Sequence, residues 1–363
     1  ERPGTYASGL VNKEGRMAWR ISLLNMALLG ASAWMMTRVP PVQAQPPDPP
    51  SVQITNGTIA ATIYLPDATA GYYRGTRFDW AGVIGRLESG GHTFYAPWFT
   101  KTDVTVRDFV NDGVDITAGP HTAIAGPAEE FSVLGYADAA PGDSFVKIGV
   151  GALRKPDDDT PYSPYRAYAF ADPGTRTVTT RADGVDFTHD LADTGSGYGY
   201  HYTKTVQLAA GSPELIITHR LVNRGTKPIE GTVYNHNFLV FDGQPPGPGV
   251  VITTPFDLTT AQPLDPAVAT IAGREFRYAA PIPDRGRVSA QFQGFGPTAA
   301  DYHFRIENRA TGAGVEMTGD RTIARLALWS IRTVLALEPF LALDVAPGAD
   351  YTWEYRYRYY TMP

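Results

Sequence analysis

Not one cysteine occurs in the 363 residues, which excludes disulfides, thiolate metal sites and cysteine nucleophiles together. Lysine and arginine nowhere gather into a basic block, and the net charge is -6. Nucleic acid is therefore not an expected partner. Helical periodicity is missing too. Past residue 50, no long window repeats apolar residues at i, i+3, i+4 and i+7 without proline or glycine interrupting it. No apolar segment beyond the amino terminus reaches the ~20 residues that a membrane span needs. The histidines show no metal-ligand spacing, and Asp157-Asp158-Asp159 is followed by no glutamate at the calcium-loop distance. No metal or organic cofactor is expected.

What is present points to strands. The chain holds 37 glycines, 30 prolines and 20 tyrosines, a composition that suits many short strands joined by tight turns. Asn56-Gly57 separates two alternating segments, residues 52–55 and 58–65, and Asp183-Gly184 separates 175–181 from 185–189. Residues 200–208, 214–223 and 230–241 predict three long antiparallel strands joined by turns at 210–213 and 224–228. Residues 323–330, 334–345 and 351–360 predict a second run near the end. The stretch 108–164 reads as loop-rich. Many strands need a second sheet to bury their inner faces, so the expected fold is all-β, one large antiparallel β-sandwich over residues 51–363.

The amino terminus has its own organisation. Residues 1–16 read as an upstream extension, with Met17 as the natural start. Met17-Ala18-Trp19-Arg20 is a short basic opening, residues 21–36 are mostly apolar, and Val42-Gln43-Ala44 offers small residues for signal-peptidase cleavage. Residues 1–44 thus predict an upstream extension and a cleaved signal peptide, too short in its apolar part for a membrane anchor. Gln45-Pro46-Pro47-Asp48-Pro49-Pro50 predicts a proline-rich linker. The expectation is a periplasmic or secreted bacterial protein with no membrane attachment after cleavage.

Two polar intrusions stand out. In Thr232-Val233-Tyr234-Asn235-His236-Asn237-Phe238-Leu239, two asparagines flank a histidine inside an apolar β-run. Asparagine is depleted in strands, and such local conflicts are expected where a site overrides structure. Imidazole is also the side chain suited to moving protons near neutral pH. About a hundred residues on, Leu337-Glu338-Pro339-Phe340 plants one carboxylate in an apolar run. His236 and Glu338 make a candidate acid–base pair. A proline in a strand favours an edge, which leaves a solvent-facing Glu338 as the competing reading. Arg77 could pair simply with Asp79.

A resemblance joins these marks. Tyr202-Thr203-Lys204, Leu215-Ile216-Ile217-Thr218-His219-Arg220-Leu221, Asn223-Arg224-Gly225-Thr226-Lys227-Pro228 and Tyr234-Asn235-His236-Asn237-Phe238 follow one another as in the central part of aldose 1-epimerases. Leu337-Glu338-Pro339-Phe340, Val345-Ala346-Pro347-Gly348 and Trp353-Glu354-Tyr355 resemble that family's closing segment. Gly126-Pro127-Ala128-Glu129-Glu130-Phe131 and Lys147-Ile148-Gly149-Val150-Gly151 are further marks, nearest an uncharacterised exported branch. The family's Asn-Arg and His-x-x-Gly-Gly signatures are not present as such.

The resemblance implies a galactose mutarotase-like supersandwich and an isomerase that interconverts sugar anomers. It assigns the general acid on the ring oxygen to His236 and the acceptor of the anomeric hydroxyl proton to Glu338. Arg77 and His121 become candidates for holding the sugar, with Glu130, Asn235 and Asn237 as further contacts. The implied partner is a small sugar or oligosaccharide. Two other readings stay open: a polysaccharide lyase or glycoside hydrolase on the same fold, and a carbohydrate-binding module without turnover.

Overall fold

The structure, a computed structural model, describes residues 48–158, 160–192 and 195–363. The expected signal segment, and the linker as far as Pro47, lie outside the described residues. Among those described there is no α-helix, and helical character is limited to a 3-10 turn at Ala299–Asp301.

The strands begin and end where turn chemistry places them. Ser51–Thr55 and Ile59–Tyr64 pair antiparallel around Asn56-Gly57. Gly57 sits at φ +85°, a region glycine enters without penalty, and the Asn56 carboxamide oxygen accepts from the backbone N–H groups of Thr58 and Ile59. Thr175–Arg181 and Gly184–Leu191 form the second expected hairpin. The meander Tyr200–Leu208, Glu214–Asn223 and Ile229–Phe238 also forms, but its third strand leaves its neighbours for another sheet.

Two large sheets result. A ten-stranded sheet contains Tyr200–Leu208 and Glu214–Asn223, the latter paired with the last strand, Asp350–Thr361. A six-stranded antiparallel sheet runs in the order Thr259–Thr260, Val288–Gln293, Arg325–Ile331, Val334–Val345, Ile229–Phe238 and Gly126–Phe131. Their inner faces share one core: Leu215, Ile217 and Tyr355 of the first cluster with Val233, Leu337 and Leu341 of the second. Burying a side chain of this size is worth roughly 1.5–3 kcal/mol relative to leaving it exposed.

The segment read as loop-rich holds five short strands, Phe109–Asn111, Ile116–Ala118, Gly126–Phe131, Ser144–Lys147 and Gly151–Arg154. Gly126–Phe131 was not expected as a strand, because it carries two adjacent glutamates. Alternation explains it. Glu129 points inward, where the Lys204 ammonium and His219 Nε2, the latter 2.9 Å away, meet its carboxylate, while Glu130 points outward.

The outer face of the six-stranded sheet positions everything that follows. At one end Tyr73, Phe78 and Trp98 pack over Ala128 and Phe238 as a second, smaller apolar cluster, with Trp329 partly buried against it. Farther along, the same face lines a cavity.

Candidate active site

Side chains on a strand alternate between faces, so Tyr234, His236 and Phe238 project from one side of Ile229–Phe238 and Asn235 and Asn237 from the other. Register aligns Tyr234 with Glu130 on one neighbour and with Phe340 on the other. It also aligns Glu338 with Ala327, and Ala327 with Gln291. Glu130, Tyr234, Glu338, Phe340, Arg325 and Gln291 therefore share one face, and together with Arg77 they line a cavity of about 330 Å³.

Within this face His236 and Glu338 meet. Nε2 of His236 lies 3.1 Å from Oε1 of Glu338. The strand carrying Glu338, Val334–Val345, is central rather than an edge, so Pro339 calls for an explanation. Backbone pairing between the two strands runs from Ile229↔Val345 to Tyr234↔Phe340 and returns only at the bridge Leu239↔Leu335. Proline has no N–H to give to a ladder. Along the unpaired stretch, the Asn237 carboxamide donates instead to the Leu337 carbonyl, at 2.8 Å. His236 and Glu338 sit on this gap in the ladder.

Burial governs their charges. His236 is 5% exposed, with its ring stacked on Phe238 at 3.8 Å and edge-on to Phe78 and Trp329. Desolvation, followed by the nearby Arg77 charge, holds the imidazole well below its ordinary value. No acceptor meets its buried Nδ1 to steady a positive ring. Glu338 is 8% exposed, and desolvation pushes its carboxyl up to about 7, against the pull of Arg77 and with help from Glu130. Around neutral pH, then, the imidazole is neutral and the carboxyl close to half protonated.

Arg77 anchors the other wall. Its Nε donates to Glu130 at 2.7 Å, one terminal nitrogen to Asp108 at 3.1 Å and the other to the Tyr234 hydroxyl at 3.3 Å. The Tyr234 hydroxyl donates in turn to Glu130 at 2.6 Å. The Lys147 ammonium lies 3.3 Å from the other Glu130 oxygen and donates to the Phe131 carbonyl. Burial alone would raise the Glu130 carboxyl, but Arg77 and Lys147 outweigh it and hold the group below the usual carboxylate range. Arg77 turns to these partners rather than to Asp79, which lies 3.7 Å from the Lys204 ammonium in the interior.

Three expected sugar contacts fall elsewhere. Asn235 and Asn237 are fully buried on the inner face, where the Asn235 amide donates to the Tyr357 hydroxyl at 2.7 Å and that hydroxyl donates to Asn237 at 2.8 Å. They tie the two sheets together. His121 stands in a loop at φ +66°, its Nδ1 3.1 Å from the Gly71 carbonyl, and does not line the cavity. Arg77 and Glu130 do line it. Sequence reasoning missed Tyr234, whose two-residue spacing from His236 was a usable signal, and Asp108, Lys147, Arg325 and Gln291, for which register was needed. Among the described residues, no group of three or more histidine, aspartate and glutamate side chains is placed to hold a metal ion.

No family model and no curated protein matches the chain. Solved structures do. The Slr1438 protein from Synechocystis sp. PCC 6803 is 14% identical and superposes with a TM-score of 0.50, covering 87% of this chain and 97% of its own. A galactose mutarotase-like protein from Clostridium acetobutylicum, also 14% identical, superposes with a TM-score of 0.50 over 86% of this chain and 95% of its own. The fold is galactose mutarotase-like. At this identity the likeness carries architecture, so the chemistry has to be argued from the side chains. In this galactose mutarotase-like fold, the outer face of the six-stranded sheet holds a carboxyl near neutrality against a neutral imidazole, beside a fixed arginine.

Proposed function

We propose that the chain binds a pyranose sugar in the 330 Å³ cavity and interconverts its anomers by proton transfer through Glu338 and His236. The observation that carries this reading is the 3.1 Å contact between a cavity-lining carboxyl raised to about 7 and a neutral imidazole buried beside it. Anomer exchange needs one proton delivered to the ring oxygen and one taken from the anomeric hydroxyl, with no metal or nucleotide. The charge states favour the reverse of the roles implied by resemblance. Protonated Glu338 gives its proton to the ring oxygen as the bond from that oxygen to the anomeric carbon breaks. Neutral His236 takes the hydroxyl proton. The ring edge takes the place of the direct contact between the two groups.

The open-chain aldehyde then turns its other face to the former ring hydroxyl. Bond formation returns that hydroxyl's proton to Glu338, and the imidazolium returns its own to the carbonyl oxygen. The pair ends as it began. Arg77, with each of its three nitrogens engaged, fixes the wall rather than moving protons.

Exchange spectroscopy on the anomers of free glucose tests this. Turnover is expected to fall as pH rises through about 7, because protonated Glu338 is consumed, and His236→Ala is expected to lose about 10²–10⁴-fold. A rate that climbs through that pH window would restore glutamate as the base. A rate indifferent to His236→Ala would remove the imidazole from the chemistry, and no acceleration at all would leave a sugar-binding site without turnover, the reading that the closed contact between the pair otherwise favours.

A further inference from the structure

The cavity has two guanidinium groups on its walls, and only one is satisfied. Arg77 spends its donors on Glu130, Asp108 and Tyr234. The Lys147 ammonium nearby is likewise engaged by Glu130 and the Phe131 carbonyl. Among the described residues, the guanidinium of Arg325, on Arg325–Ile331, has no ion-pair or hydrogen-bond partner, yet it is not loose. Its guanidinium carbon lies 3.5 Å above the centre of the Phe340 ring, and Phe340 stacks on Tyr234 at 4.1 Å. Stacking fixes the plane of the guanidinium while its edges, the part that forks onto carboxylate or phosphate, stay free.

Its position relative to Glu338 sets a length. Arg325 pairs in register with Phe340, two residues along the strand from Glu338 and on the same face. Diagonal neighbours of this kind stand roughly 7–8 Å apart, and long side chains bridge that span. A sugar whose anomeric carbon meets Glu338 can therefore bring the exocyclic group carried beyond its ring oxygen within reach of Arg325. We propose that Arg325 is the specificity-determining residue of this site, seating a negatively charged group, carboxylate or phosphate, carried on the sugar. The assignment rests on the sugar-binding reading above, and it goes beyond it by naming the charge of the substrate.

The full chain and Arg325→Gln are compared by calorimetric titration with glucose, glucuronate and glucose 6-phosphate. An exposed stacked side chain can be replaced without threatening the fold, and Arg325→Lys tests whether the fork or only the charge matters. At least one anionic sugar is expected to bind the parent about tenfold or more tighter than glucose, as a charge-assisted hydrogen-bonded pair allows. That preference is expected to collapse toward parity in Arg325→Gln and to return partly in Arg325→Lys. Preference for glucuronate alone names a carboxylate, for the phosphate ester alone a phosphate, and for both a general anion seat. Equal affinity for all three sugars, or a preference that survives Arg325→Gln, overturns the proposal. Anomer exchange of all three sugars, read on the same samples, separates the two ideas. Its absence alongside a charge preference removes the catalysis and keeps the seat; its presence without a charge preference removes the seat alone.

Discussion

At the scale of single residues, the site is a place where folding and chemistry oppose each other. The fold raises the Glu338 carboxyl to about 7 chiefly by desolvation, so the folded chain holds that proton more tightly than the unfolded one. A group of this sign contributes its full stability below the ordinary carboxylate range, and that contribution is lost as pH rises through about 7. Glu338→Gln keeps the shape without the charge. In urea unfolding it is expected to gain about 2–3 kcal/mol over the parent above roughly pH 8, the gain shrinking as pH is lowered toward about 4. Equal stability at all pH values would mean that the carboxyl is solvated. The same substitution removes the proposed proton donor, the usual exchange of stability for activity. Both members of the pair were legible in the sequence, because each is a lone ionisable side chain in an apolar run. Arg325 was not, since an arginine opening a strand looks like any surface charge until register sets it opposite Phe340.

At the scale of elements, the flanking asparagines were noticed correctly and read for the wrong face. Their conflict with strand propensity is real, but it resolves inward. Asn237 supplies the donor that Pro339 cannot, and Tyr357 links Asn235 to Asn237 from the opposite sheet. Period-two alternation forbids His236 and its immediate neighbours from facing the same cavity. Tyr357→Phe leaves the Asn235 amide and the Asn237 carboxamide oxygen short of a buried partner. It is expected to destabilise the fold by about 1–3 kcal/mol while glucose anomer exchange per folded molecule stays near the parent's. A loss of exchange without a loss of stability would show that the two asparagines reach the sugar. The strand Gly126–Phe131 was hidden from sequence reading for a related reason: a buried glutamate beside a half-buried one looks like a solvated turn unless its distant partners, Lys204 and His219, are known.

At the scale of the whole molecule, hairpin signals and the absence of helical periodicity were sufficient for an all-β sandwich, and most of the long strands fell within a few residues of their expected limits. What local patterns could not supply is which strand joins which sheet. Ile229–Phe238 leaves the meander that precedes it to lie between Gly126–Phe131 and Val334–Val345, and that departure is what brings His236 to Glu338 and Tyr234 to Glu130. The central claim is that a sugar is worked on where those strands part. A crystal structure of the chain soaked with glucose tests it most directly. The ring oxygen and anomeric hydroxyl are expected between Oε1 of Glu338 and Nε2 of His236, each within about 2.6–3.2 Å of its partner. A sugar bound elsewhere, with the carboxyl and imidazole still in direct contact, would contradict the account.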